Sequence, residues 1–172
     1  MSPRRLERLA AHHDLSEFRS GNQSFDSWLH DHAVASQQMN SARTFLLSED
    51  THILGYFSVT MGSVLRSEAP PSLVRGLPGY PTGMVLLARL AVNADHQGQG
   101  LGSLLLAEAL RKAVVAGEAA ASRLMVVDAV EAVAVRFYAH HGFLAVPEHP
   151  LRLYRRMKDI RLSLEKQLGT EG

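Results

Sequence analysis

The chain has no cysteine in its 172 residues, very few lysines, and no apolar run of the length that crosses a bilayer. Each absence closes a class of function. Without cysteine there is no disulfide, no thiolate nucleophile and no cysteine-held zinc, a composition that fits the cytoplasm. Without roughly 20 consecutive apolar residues there is no membrane span. The first residues, MSPRRLERLAAHHD, lack the apolar core of a secretory signal. The formal net charge is only +1, unlike a dedicated nucleic-acid-binding domain. Internal repeats and charge blocks are absent too. His12, His13, His30, His32, His52, His96 and His149 show no ligand spacing with carboxylates. His30 and His32, two apart, point to different faces of a helix. No metal is expected.

What is present is a 46% hydrophobic chain of the length of one ordinary domain with a proper core. Its cations are nearly all arginine: of the 18 basic residues, only Lys112, Lys158 and Lys166 are lysine. Arginine suits planar, bidentate binding of phosphate. A GC-rich genome would leave the same bias, and composition does not separate the two.

Periodicity orders the elements. Arg4–Ala10 alternates as a first strand, and Phe25–Gln38 carries apolar residues at helical spacing, with Asn22 or Ser24 as cap. Arg43–Glu49 and His52–Arg66 form a hairpin turning at Asp50–Thr51. Ser67–Gly83 holds four of the seven prolines, so it reads as a loop with one helical turn near Leu73. Met84–Val92 is a buried central strand interrupted by Arg89. A long helix follows to about Ala121, then a buried strand at Arg123–Ala129 and a short helix at Glu131–Gly142. Arg152–Met157 alternates as a late strand. In the tail from Lys158, Ile160, Leu164 and Leu168 share one helical stripe, either a partner surface or an end that packs back. The order β, α, ββ, β, α, β, α, β predicts a mixed α/β fold around one sheet, not a doubly wound one.

Between the central strand and the long helix lies DHQGQGLGSLLLAEAL, Asp95–Leu110, with glycine at 98, 100 and 102. A glycine-rich turn into a helix N-terminus is an anion site, because backbone N–H groups face outward, no Cβ blocks approach and the helix dipole adds positive charge. A Walker loop needs Gly-Lys-Ser/Thr, and no lysine is near. A dinucleotide fingerprint needs G-x-G-x-x-G after a first strand, and the spacing here is G-x-G-x-G after a later one. Gln97, Gly100 and Gly102 instead match Gln/Arg-x-x-Gly-x-Gly/Ala, the pyrophosphate loop of acyl-CoA-dependent N-acetyltransferases. Glycines placed only for tight packing are the alternative.

LARLAVNADHQGQGLGSLLLAEAL and AVRFYAHHGF together resemble motifs A and B of the GNAT superfamily of N-acetyltransferases. GNQSFDSWLHDHAVASQQMNSARTFLL, GYFSVTMGSV, LPGYP, LLARLAV and VVDA are similar to one branch, the acetyltransferase toxins of bacterial toxin–antitoxin operons. The resemblance implies a GNAT fold at 1–157, its mostly antiparallel mixed sheet splayed around the acyl-CoA site with helices on both faces, and a helical tail at 158–172. It implies acetylation of the α-amine of aminoacyl-tRNA with acetyl-CoA, a block on translation, and a ribbon-helix-helix antitoxin as partner. Homodimerisation stays open.

By the same resemblance, Leu90, Ala91 and Val92 would pair with the pantetheine arm. Gln97, Gly98, Gln99, Gly100, Leu101, Gly102 and Ser103 would take the pyrophosphate on backbone N–H groups. Tyr138 would protonate the departing thiolate; its alternative is a ring packed with Phe137 against the sheet. No general base stands out, and His140 and His141 read equally as helix-end residues. Asp128 could orient the site or cap the next helix. If the acceptor is tRNA, Arg89, Arg43 and Arg75 are candidates for its phosphates, with Arg152, Arg155 and Arg156 as helpers. Two other readings stand beside this one: an acetyltransferase of a small amine, and a non-catalytic CoA-binding module.

Overall fold

The computed structural model describes residues 2–169; residues 170–172 of the predicted tail lie outside them. In chain order the elements are β1 Arg4–Arg8, α1 Gln23–Asp31, α2 Ala33–Gln38, β2 Arg43–Glu49, β3 His52–Val64, α3 Pro71–Val74, β4 Thr82–Val92, α4 Leu101–Ala120, β5 Leu124–Asp128, α5 Ala132–His140, β6 Leu144–Val146, β7 His149–Arg156 and α6 Met157–Gly169. The described strands form a sheet in the order β1-β2-β3-β4-β5-β7-β6. It is mostly antiparallel, with β4 and β5 parallel. The fold is therefore the mixed α/β one expected. The chain divides into two compact units, Met1–Thr60 with Ala88–Ala109, and Met61–Leu87 with Leu110–Gly172.

In the first unit β1, β2 and β3 pair antiparallel, with Leu6 opposite Leu47 and Phe45 opposite Phe57. The β2–β3 turn falls at the predicted place, and Asp50 takes the left-handed conformation it needs (φ 55°). Leu29, Ala33, Leu46 and Tyr56 are fully buried in one core with Phe18 and Ala91. The helix predicted as unbroken from Phe25 to Gln38 is two helices. His32 leaves helical geometry (φ −126°, ψ −24°), and its N–H closes α1 on the Trp28 carbonyl. After the break Gln37 bridges β2 and the residue that follows β1: its amide donates to the Leu9 carbonyl at 3.0 Å and accepts from the Thr44 N–H at 2.9 Å. Tertiary hydrogen bonds outweigh continuous helical periodicity here.

In the second unit β5 is buried on both faces, as its Leu-Met-Val-Val run requires. It pairs in parallel with β4 from Met84↔Leu124 to Leu87↔Val127 and antiparallel with β7 from Leu124↔Arg156 to Asp128↔Arg152. β7 starts at His149, earlier than predicted, because β6 adds to it across Leu144↔Tyr154 and Ala145↔Leu153. Three residues are too few to show alternation, so β6 was invisible in the sequence. Met157 and Ile160 are buried while Leu168 is exposed, so α6 packs back at its start only.

Gly55 on β3 sets a close approach within the first unit. A Cβ there would stand 2.6 Å from Leu105 Cδ1 and 2.9 Å from the Ala91 carbonyl oxygen. Strand β3, strand β4 and the start of α4 meet at this bare position. Gly55→Ala should therefore destabilise the protein by about 1–3 kcal/mol, the usual cost of overpacking. Urea denaturation checks this, and an unchanged midpoint would contradict the packing described.

Candidate active site

After β4 the chain makes one 3₁₀ turn, Ala94–His96, and reaches Gln97–Gly100 before α4 begins. Gly98 and Gly100 both have positive φ, 78° and 80°. A Cβ built on either meets no heavy atom within 4 Å. Close packing against protein therefore does not explain these two glycines. Their left-handed backbone does, and it leaves open space over the turn. Gly102 is different: it lies in the first turn of α4, where any residue has the required φ. The Gly100 carbonyl accepts the Leu104 N–H at 3.2 Å, so Gly100 opens the helix without a side chain to cap it. The N–H groups of Leu101 and Gly102 have no intrahelical acceptor, and the dipole of a 20-residue helix stands behind them. No carboxylate occurs from Gln97 to Ser103. Such a run of amides suits a diphosphate.

The turn is tied down from outside. The Gln97 side-chain amide donates to the Ser20 carbonyl at 2.7 Å and to the Val92 carbonyl at 3.0 Å. The Ala94 N–H donates to the Arg19 carbonyl at 2.7 Å, and the Asn93 N–H to the Leu54 carbonyl at 2.8 Å. Asn93 Oδ1 caps the 3₁₀ turn by accepting from the Asp95 N–H. Pattern reading found Gln97. It missed Arg19 and Ser20, which lie more than seventy residues upstream and act through carbonyl oxygens that carry no residue signature.

Leu90, Ala91 and Val92 end β4 in the same unit as this turn. The parallel pairing with β5 stops at Leu87, so these residues run past it. Arg89 sits just before them. A charge inside a central strand demands a partner, and the partner is an aromatic face: the guanidinium carbon stands 4.0 Å from the centre of the Trp28 ring. Trp28 in turn stacks on Tyr56, whose hydroxyl donates to the Phe25 carbonyl at 2.8 Å. Partial burial draws the Arg89 guanidinium below its usual value, against the opposite pull of Tyr56. Among the described residues Arg89 makes no ion pair or hydrogen bond, so its N–H donors remain available to an anion.

The other candidate arginines differ. Arg43 closes the end of α2, donating to the Gln37 carbonyl at 3.4 Å and to the Asn40 side chain. Arg75 belongs to the second unit and is exposed on a groove of about 540 Å³ that it shares with Arg66, Ser67 and Val74. The helpers on β7 and its end are all engaged. Arg152 grips Asp128 through two bonds, 2.7 and 3.0 Å. Arg156 grips Asp159 in the same way, and Arg155 donates to Ser163 Oγ at 2.6 Å. Asp128 is thus neither a helix cap nor a lone acid. Helix α5 starts after Glu131 with no side-chain cap.

Tyr138 is on α5 in the second unit, 6% exposed. Its ring meets Phe137 and Phe143 edge to face, with centroids 5.1 and 5.9 Å apart. Burial pushes its phenol far above the usual value, so it keeps its proton at neutral pH. Its hydroxyl has no hydrogen-bond partner among the described residues. A protonated, unpartnered phenol is a proton donor in waiting. Among the described residues no group of three or more His, Cys, Asp or Glu side chains could hold a metal ion, and no helix is long and apolar enough to cross a membrane.

The Arg89–Trp28 stack is directly testable because Trp28 is the single tryptophan of the chain. Arg89→Ala should change the intensity and position of its emission, and Arg89→Lys should restore the wild-type spectrum only in part. Identical spectra for all three proteins would show that the cation does not sit on the ring in solution.

Known proteins are similar to this chain in sequence and fold. A tRNA-acetylating toxin of Mycobacterium tuberculosis (strain ATCC 25618 / H37Rv) is 36% identical over 148 residues, covering 86% of this chain and 89% of that protein. The solved structure of AtaT complexed with acetyl-methionyl-tRNAfMet superposes with a TM-score of 0.86 at 28% identity, covering 94% of this chain and 99% of that one. A mutant AtaT toxin bound to the C-terminus of the antitoxin AtaR and acetyl-CoA gives 0.80 at 26% identity, covering 93% and 97%. The model of the acetyltransferase (GNAT) family matches residues 9–143. That match runs from the end of β1 through the glycine turn and Tyr138 to Phe143, and the chain belongs to the GNAT family of acetyltransferases.

Proposed function

We propose that this chain acetylates the α-amine of aminoacyl-tRNA with acetyl-CoA and so blocks translation in the cytoplasm, under the control of an antitoxin of the ribbon-helix-helix type. The open left-handed turn at Gly98–Gly100 carries the acyl-donor half of this reading. The acceptor half draws on the relatives, one named for acetylating tRNA and another solved with acetyl-methionyl-tRNA.

Acetyl-CoA supplies the acetyl group as a thioester. The amides from Gln97 to Ser103 bind its diphosphate, and the backbone of Leu90, Ala91 and Val92 aligns the pantetheine arm and polarises the carbonyl. The amine nitrogen bonds to that carbon, the carbon–sulfur bond breaks, and Tyr138 gives its phenolic proton to the sulfur. The amine proton leaves to water, and the phenolate regains a proton from solvent. Arg89, Arg43 and Arg75 are the residues offered to phosphates of the acceptor stem and end.

A cavity of about 590 Å³ in the second unit supports a second reading, a small cationic amine as acceptor. Glu68, Asp128 and Glu148 line it with Arg152 and Tyr154. Arg152 already neutralises Asp128, which weakens the attraction. One experiment separates the readings: the protein, labelled acetyl-CoA and total charged tRNA, then mass spectrometry of the released amino acids. N-acetylated amino acids support tRNA as acceptor. Label found only on added polyamines would replace it with the small-amine reading.

Two variants test the roles. Tyr138→Phe should lower turnover at least about 100-fold with melting unchanged, since a lost general acid costs that much. The wild type should show no loss of rate from Tyr138 ionisation below about pH 10, because burial raises this pKa above its free value. A fully active Tyr138→Phe would remove the acid assignment. Gly100→Asp should weaken acetyl-CoA at least about 100-fold, since left-handed strain and a carboxylate beside the diphosphate act together. Unaltered affinity by calorimetry would remove the turn from the donor site.

A further inference from the structure

We propose that Asp26 is a positioning residue for the diphosphate turn. The inference rests on the reading that Gln97–Ser103 takes the diphosphate of acetyl-CoA. Asp26 is a buried carboxylate, 8% exposed, in the first turn of α1. It forms no ion pair among the described residues. Burial of a charge without a cation is costly unless hydrogen bonds offset it, and the donors to Asp26 all come from one residue. The Ser20 N–H reaches both carboxylate oxygens, at 3.0 and 3.1 Å, and the Ser20 hydroxyl donates to Oδ1 at 2.6 Å.

Helix α1 does not need this carboxylate to start. Asn22 already caps it, accepting from the Phe25 N–H at 3.1 Å. What Asp26 fixes is the Arg19–Ser20 segment, with the Ser20 hydroxyl also accepting from the Asn22 N–H. That segment presents two carbonyls to the turn. Arg19 takes the Ala94 N–H and Ser20 takes the Gln97 side chain. The path therefore runs from a buried charge, through one serine, to both ends of the Ala94–Gln97 stretch. Charge-assisted bonds to a buried acceptor are the strong kind, so the turn is held in binding geometry before the ligand arrives.

Calorimetry with acetyl-CoA and with S-acetyl-pantetheine, which lacks the diphosphate, tests this on the full chain. Asp26→Asn keeps the shape but turns one acceptor into a donor facing Ser20. Its acetyl-CoA affinity should fall about tenfold, as expected for loss of a charge-assisted bond, while S-acetyl-pantetheine affinity stays at the wild-type value. Gln97→Ala should behave the same way. The double variant should be no weaker than the weaker single one, because the two act in series. Equal losses for both donors, additive losses, or no loss would each overturn the inference. If Asp26→Asn fails to fold, Ser20→Ala decides instead, with about a threefold loss confined to acetyl-CoA; no such loss overturns the inference. Gly100→Asp separates the two levels. If it too leaves acetyl-CoA affinity intact, the diphosphate reading fails. If it abolishes binding while Asp26→Asn does not weaken it, only the role of Asp26 fails.

Discussion

A main-chain amide grips a phosphate oxygen only where no side chain stands before it and the peptide faces outward. The turn from Gly98 to Gly100 meets the first condition, and its two left-handed residues in three bend the chain in a way that L side chains rarely tolerate. The open space over both positions means that the protein itself makes no use of the missing Cβ atoms. The long helix behind the turn adds its dipole without adding bulk. Several contacts in the first unit hold this short stretch in place.

Keeping it still is a separate task, because glycine-rich turns are flexible by nature. Three kinds of contact share it. Side-chain amides from Asn93 and Gln97 fold back onto carbonyls of β3, β4 and the segment before α1. Backbone bonds from Asn93 and Ala94 fasten the exit of β4. The absent side chain of Gly55 lets Leu105 of α4 and the Ala91 carbonyl of β4 come together over β3. A turn ordered in advance loses less entropy when its ligand arrives. The same glycine that would be a weakness in an ordinary strand thus lets the start of the helix lie close against β3 and β4.

Much of this was legible in the sequence, and the limits have physical causes. Strands with strong apolar runs, such as Leu124–Asp128, and the Asp50 turn announced themselves through composition and turn chemistry. The glycine motif could be read because phosphate binding constrains residue type at fixed spacing. The break at His32 could not, since the apolar spacing of Phe25, Leu29 and Ala33 continues across it; the deciding force is Gln37 bridging Leu9 and Thr44. β6 is too short to carry a period. Arg89 stood out as a charge in an apolar strand, but the aromatic face it meets, Trp28, lies 61 positions away with no local trace of the pairing. Arg19 and Ser20 contribute only carbonyl oxygens, which every residue has.

The strand that leads into the turn also bears on which amine the site serves. From Thr82 to Val92 it carries no aspartate or glutamate, and its one charged residue is Arg89. A cation there disfavours an ammonium and favours a neutral amine or an anion. A lysine side chain, with a pKa near 10.4, is almost wholly protonated at neutral pH and would need a base to take its proton. An α-amine, near 8, already holds a useful neutral fraction, and an adjacent ester lowers it further. Burial raises the pKa of the Tyr138 phenol, which suits a proton donor and not a base. A strand with a cation and no carboxylate is therefore matched to an acceptor that arrives nearly deprotonated and attached to phosphates. The terminus of a charged tRNA has both properties, whereas a polyamine has neither.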